Sequence, residues 1–115
     1  MLTSDQKGMR RTTFVTAVSR EGFELEVAGQ AQSVDWASIG SVIAGVIQAP
    51  SGALFILAIE FEIGQMVIVT ESEPVWADLT VMIQQGLPGI DSFSVWGAKL
   101  ATEPDVLTLY ERPNF

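Results

Sequence analysis

No charged residue interrupts the chain from Trp36 to Ile59, a stretch long enough to cross hydrocarbon, which takes about 20 apolar residues in a helix. Its middle, however, is Gln48-Ala49-Pro50-Ser51-Gly52, a turn sequence, and its nearest charged neighbours are the acids Asp35 and Glu60 rather than the positive residues that anchor a cytoplasmic end. Two buried strands joined by a turn fit this stretch, and a membrane span does not. The second strand, Ala53 to Ile63, has two distinct faces. Phe55, Leu57, Ile59, Phe61 and Ile63 fall on one, and Leu54, Ile56, Ala58, Glu60 and Glu62 on the other. The first face reads as core, and the second turns polar toward its end.

The same period of two continues on either side. Residues 12 to 19 are rich in β-branched side chains, and Phe23, Leu25 and Val27 alternate with Gly22, Glu24 and Glu26. Arg20-Glu21-Gly22 lies between these runs and predicts an antiparallel hairpin, with Gly29-Gln30 as the next turn. Short strands follow over 32–36, 39–48 and 66–70. The segment 73–86 changes period. Val75, Trp76, Leu79, Met82 and Ile83 recur every three or four residues, which predicts an amphipathic helix with Ser72 as N-cap and Gly86 as its left-handed stop. Residues 91–100 fit neither period cleanly. Val106 to Glu111 reads as a last strand.

These elements predict an α+β fold: one antiparallel sheet of about six to seven strands with one amphipathic helix, about 73–86, packed on it. A pleckstrin-homology-like roll is the alternative, from which a strand after the helix would depart. The chain has 115 residues, 48% of them apolar and 17% charged, a balance that supports one packed core. We therefore expect a mobile basic tail over 1–11 and a single acidic domain over 12–115.

Charge is unevenly placed along the chain. Residues 1–20 hold Lys7, Arg10, Arg11 and Arg20 against Asp5, whereas Glu21 to Ala98 holds ten carboxylates and no Lys or Arg, and the whole chain carries −8. A body of that sign repels phosphate backbones and anionic membranes, so neither nucleic acid nor membrane is expected as a partner, and it attracts cationic proteins. The twin arginine Arg10-Arg11 stands before an apolar stretch, as in an export signal, but Arg20 and Glu21 close that stretch too early.

Chemistry is restricted by what is missing. The chain has no Cys and no His, which removes thiolate nucleophiles, thiolate-bound metals and the usual general base. No calcium loop, P-loop or dinucleotide fingerprint is present, and no cofactor is expected. Carboxylate pairs remain. Glu24 and Glu26 share one strand face, as do Glu60 and Glu62, with α-carbons about 6.6 Å apart, a spacing that could flank a glycosidic bond or share a cation. Alternating glutamates on the wet face of a strand are also ordinary. No serine lies in a Gly-x-Ser-x-Gly elbow, and a Ser–Lys pair would need Lys99 buried. Trp36, Trp76 and Trp96 read as core rather than as a ligand groove.

Spaced residues resemble a group of small uncharacterised bacterial proteins: Asp35-Trp36-Ala37-Ser38-Ile39, Val69-Thr70-Glu71, Trp76, Leu79, Leu87-Pro88-Gly89, Trp96 and Leu109-Tyr110-Glu111-Arg112. Residues 47–53 lack the charges of that group. The resemblance implies a cytoplasmic bacterial protein and carries over no functional residue.

The sequence thus favours a non-enzymatic binding module for a basic protein, in the manner of an immunity or antitoxin-type inhibitor, with Glu24, Glu26, Glu60 and Glu62 as partner-binding residues. The alternatives are a structural homo-oligomer built on the apolar strands and a small-ligand or carboxylate-dependent enzyme using Glu60 and Glu62.

Overall fold

The computed structural model describes residues 13–62, 64–103 and 105–113; the tail expected over 1–11 lies outside them. The fold is α+β, as the two periods predict, but the strands divide into two antiparallel sheets rather than one. The first is a meander of β1 (Thr13–Val18), β2 (Gly22–Val27) and β3 (Gln30–Asp35). The second contains β4 (Ser41–Ala49), β5 (Gly52–Glu62), β6 (Gln65–Thr70) and β7 (Leu107–Glu111), in the order β6-β5-β4-β7.

The break comes at a single 3-10 turn, Trp36–Ser38, which ends β3 and redirects the chain before β4. Instead of continuing the meander, β4 pairs with β5 and β7. The inner faces of the two sheets then share a core, where Phe23 meets Phe61 edge-on at 6.1 Å and Trp36 at 6.0 Å. Periodicity shows which face of a strand is buried but not which strand lies beside it.

The uncharged stretch forms one long hairpin. Nine pairs run in unbroken register from Ser41 opposite Glu60 to Ala49 opposite Gly52, with Pro50 and Ser51 as the two-residue turn. Alternation on β5 is as predicted from Ile56 on: Leu57, Ile59 and Phe61 are buried, Ile56, Ala58 and Glu60 half-buried and Glu62 exposed, whereas Leu54 and Phe55 are both half-buried and Ile63 lies outside the described residues. The turn between β2 and β3 is Ala28-Gly29, one residue earlier than predicted. Both residues are left-handed, with φ of 51° and 86°, as a primed hairpin turn requires, and Gln30 is left free to pair with Val27. Gly22 opens β2, paired with Asp35, rather than lying in a turn, and only glycine fits there because a Cβ would stand 1.9 Å from the Val34 carbonyl oxygen.

Two helices follow β6 where one was predicted: α1 (Trp76–Gly86) and α2 (Phe93–Thr102). α1 buries Trp76, Leu79 and Ile83, but its ends differ from those predicted. Val75 occupies the N-cap position, not Ser72. The acid after Ser72 turns back instead, and Glu73 Oε2 accepts the Thr70 amide at 2.8 Å. Gly86 is the last helical residue and is not left-handed; that conformation falls to Gly89, at φ 82°. α2 occupies the ambiguous 91–100 stretch. Its apolar positions Phe93, Trp96 and Leu100 do have helical spacing, but Gly97, Ser94 and Val95, all modest helix formers, blur the pattern. Phe93 and Trp96 pack on Phe55, so α2 covers the inner face of β5. β7, following both helices and pairing with β4, departs from a pleckstrin-homology-like roll.

Candidate docking face of the four-stranded sheet

Because the helices and the first sheet lie against the inner face of β6-β5-β4-β7, its outer face is left to solvent. Strand pairing aligns the outer side chains in rows across the sheet. Ile68, Ala58, Ile43 and Thr108 form one row, and Thr70, Ile56 and Gly45 the next. Gly45 gives that second row a low floor: its missing Cβ would lie 3.6 Å from Val106 and 3.7 Å from Ile56, so these two side chains lean together over the backbone. The strip remains wet, with Ile47 41%, Met66 49% and Val106 65% exposed. These exposed Ile, Val and Met side chains make this face the candidate docking surface.

One end of the strip is acidic. Glu60 on β5 sits opposite Ser41 on β4 and Met66 on β6, and Ser41 sits opposite Glu111 on β7. The row therefore reads Met66, Glu60, Ser41, Glu111. The Ser41 hydroxyl donates to Glu60 Oε1 at 3.3 Å, which orients that carboxylate along the face. Glu62 lies just beyond, exposed, where the β5–β6 register shifts between Glu60 and Glu62. Next to Glu111, the guanidinium of Arg112 donates from Nη1 to the Ala37 carbonyl at 2.6 Å and ties the end of β7 to the 3-10 turn.

Of the four glutamates singled out in the sequence, Glu60 and Glu62 belong to this face. Glu24 and Glu26 do not. They lie on the outer face of the first sheet, opposite Ser33 and Ala31 on β3, while their neighbours Phe23 and Leu25 enter the core shared with Leu57, Ile59 and Phe61. The two pairs thus stand on the solvent faces of different sheets. Glu111 was missed because only the β4–β7 pairing, between strands far apart in sequence, brings it beside Ser41. Two further acids hold the backbone instead: Glu71 Oε1 accepts the Phe55 amide at 3.0 Å, and Glu73 accepts that of Thr70.

The remaining candidates are structural or open to solvent. All three tryptophans are buried. Trp36 Nε1 donates to the Arg20 carbonyl at 2.8 Å, whereas Trp76 and Trp96, packed with Phe55 and Phe93, bury their Nε1 groups without an acceptor. Lys99 is exposed on α2, not desolvated as a base for a serine would need to be. Ser92 and Ser94 bond to one another at 3.0 Å. Among the described residues, no cluster of three or more acidic side chains is placed to hold a metal ion, and no helix is long and apolar enough to cross a membrane. The outer face offers apolar contact along the strip and carboxylate acceptors at its end. Comparison with protein-family models, with curated proteins and with solved structures finds no match to the chain, so the reading of this face stands on its geometry.

Proposed function

We propose that the chain is a non-enzymatic docking module that receives a cationic protein on the outer face of its four-stranded sheet, as an inhibitor or immunity-type protein would. One observation carries this reading: the exposed apolar strip ends in the row of Glu60 and Glu111, with Glu62 beside it. An apolar centre gives binding energy, and a charged end sets orientation and speeds encounter. The complementary surface is an apolar ridge with Lys or Arg at one end.

Charge favours a different protein over a second copy. Four strands about 4.8 Å apart, with side chains over about 20 Å of strand length, present roughly 400 Å² of flat face, within the range of about 300–600 Å² at which patches on monomers tend to be functional. Two copies face to face would each bring a net charge of −8 and the same acidic end, whereas a cationic partner is drawn to it. Self-association through the strip is the second reading, and light scattering on concentrated protein separates the two.

The test is capture of host proteins by the tagged full chain at about 50 mM and about 500 mM salt, since screening shortens the reach of charge. Wild type is compared with Glu60→Gln/Glu62→Gln/Glu111→Gln and with Ile47→Ser/Val106→Ser. A basic protein retained by wild type at low salt, and lost with either variant, is the expected result. Identical capture by all three chains overturns the proposal.

A further inference from the structure

We infer that the free edge of β3 is a second docking site, independent of the face described above, and that it takes an extended segment of a basic protein as a fourth strand of the first sheet. β3 is the last strand in the order β1-β2-β3. Its hairpin with β2 closes on Val27 opposite Gln30 across a two-residue turn, so Gln30, Gln32 and Val34 turn their N–H and C=O groups toward β2, and Ala31, Ser33 and Asp35 turn theirs outward. The Trp36 N–H, bonded to the Glu21 carbonyl at 3.1 Å, keeps the same phase. Among the described residues, no backbone group bonds to the outward set.

Sheets ordinarily guard such an edge. β7, the free edge of the second sheet, is five residues long, shifts register against β4 between Val42 and Ile43, and is followed by Pro113. β3 has none of these devices: it contains no Lys, Pro or bulge, keeps six pairs in unbroken register with β2, and leaves Ala31, Ser33 and Asp35 exposed. Its outward groups form the regular row that strand addition uses.

The residues behind the edge set the charge of the partner. Ser33 stands beside Glu24 and Ala31 beside Glu26 on the outer face of the sheet. Both edge side chains are small, so nothing rises between an added strand and the carboxylates of β2, two strand spacings or about 10 Å away. Lys or Arg side chains opposite Ala31 and Ser33 lie across them and meet Glu26 and Glu24. At the end of the strand a hollow of about 200 Å³ continues the acidic row, with Glu21, Glu24, Ser33 and Asp35 in its wall. Among the described residues, the carboxylates of Glu24, Glu26 and Asp35 have no hydrogen-bond or ion-pair partner. The fitting segment therefore has a cation at every second position, with uncharged residues between them opposite Gln32 and Val34.

The experiment uses the full chain and a synthetic probe, acetyl-Thr-Lys-Val-Lys-Val-Lys-Thr-amide, followed through backbone amide resonances. Added antiparallel, the probe sets its lysines opposite Ala31, Ser33 and Asp35 and turns their N–H groups toward β3. N-methylation of the lysines should weaken binding at least about tenfold, whereas N-methylation of the valines should leave Kd within about twofold. Exchange should slow at the amides of Ala31, Ser33 and Asp35. Ser33→Pro, which removes an outward N–H and no bond to β2, should abolish binding while the β2 amides keep their positions. Glu24→Gln/Glu26→Gln should weaken binding about three- to tenfold, as two exposed ion pairs allow. Glu60→Gln/Glu62→Gln/Glu111→Gln should change it less than about twofold at about 150 mM salt. Equal losses on methylating lysines and valines overturn the inference, as does an unchanged Kd in Glu24→Gln/Glu26→Gln or no binding up to about 1 mM peptide. Peptide that shifts Ile43, Ala58 and Ile68 instead of β3 overturns it in favour of the second sheet's outer face. Protection of the β3 amides that rises with protein concentration, without peptide, assigns the edge to a second copy and overturns it too. The four-stranded face is not needed for any expected result, so this inference and the docking reading fail separately.

Discussion

Gly86 and Trp36 are packed so closely that a Cβ on the glycine would stand 2.5 Å from the indole ring. The contact locks the last turn of α1 onto the 3-10 turn that separates the two sheets. Gly86→Ala should therefore destabilise the fold. Overpacking costs about 1–3 kcal/mol, only partly offset by the gain of about 1 kcal/mol from replacing a helical glycine. A lower urea midpoint at unchanged slope is the expected readout.

Ala28 offers the opposite case. Its φ of 51° is left-handed, a conformation disfavoured for alanine by roughly 1–2 kcal/mol. Ala28→Asn makes the Asn-Gly turn that primed hairpins prefer and should raise stability by about 0.5–1 kcal/mol, seen as a higher melting temperature.

The acids before α1 separate a true backbone acceptor from an apparent cap. Glu73→Ala removes the acceptor of the Thr70 amide and should cost about 1 kcal/mol. Ser72→Ala removes only an exposed hydroxyl contact with Thr70, 2.8 Å long, and should stay within about 0.5 kcal/mol of wild type. Equal losses in parallel denaturation curves would restore Ser72 as the cap.

The buried tryptophans should respond unequally to shortening. Trp96→Phe removes an indole N–H that has no acceptor, so the relief of about 1–3 kcal/mol for an unmet donor offsets much of the cavity it leaves. Trp36→Phe gives up its bond to the Arg20 carbonyl with no such relief and should be the more destabilising of the two by chemical denaturation.

Strand positions and buried faces were legible wherever alternation was clean. Leu57, Ile59 and Phe61 are inside as their spacing requires, and the turn at Pro50-Ser51 resolves the uncharged stretch into a hairpin. What the sequence does not carry is adjacency. Nothing local says that β4 should choose β7 over β3, and for that reason the single predicted sheet became two and Glu111 went unnoticed as a neighbour of Ser41. Gly86 shows a different limit. A glycine after an apolar helical run signals a left-handed cap, but here the residue is small because a distant ring needs the space, a requirement set by tertiary packing alone. Of the candidate site, Glu60 and Glu62 were legible from their shared face; the strip they border emerged only once the helices were seen to lie on the other side of the sheet.

The place of β7 also bears on how the chain is made. β4 is apolar on both faces over Val42 to Val46, and its outer edge finds hydrogen-bond partners only when Leu107–Glu111 arrive, after both helices. During synthesis that edge waits until both helices have been made, open to any other extended segment nearby. Premature truncation before residue 107 would leave it permanently unpaired, so β7 serves as a seal against aggregation as much as a member of the sheet.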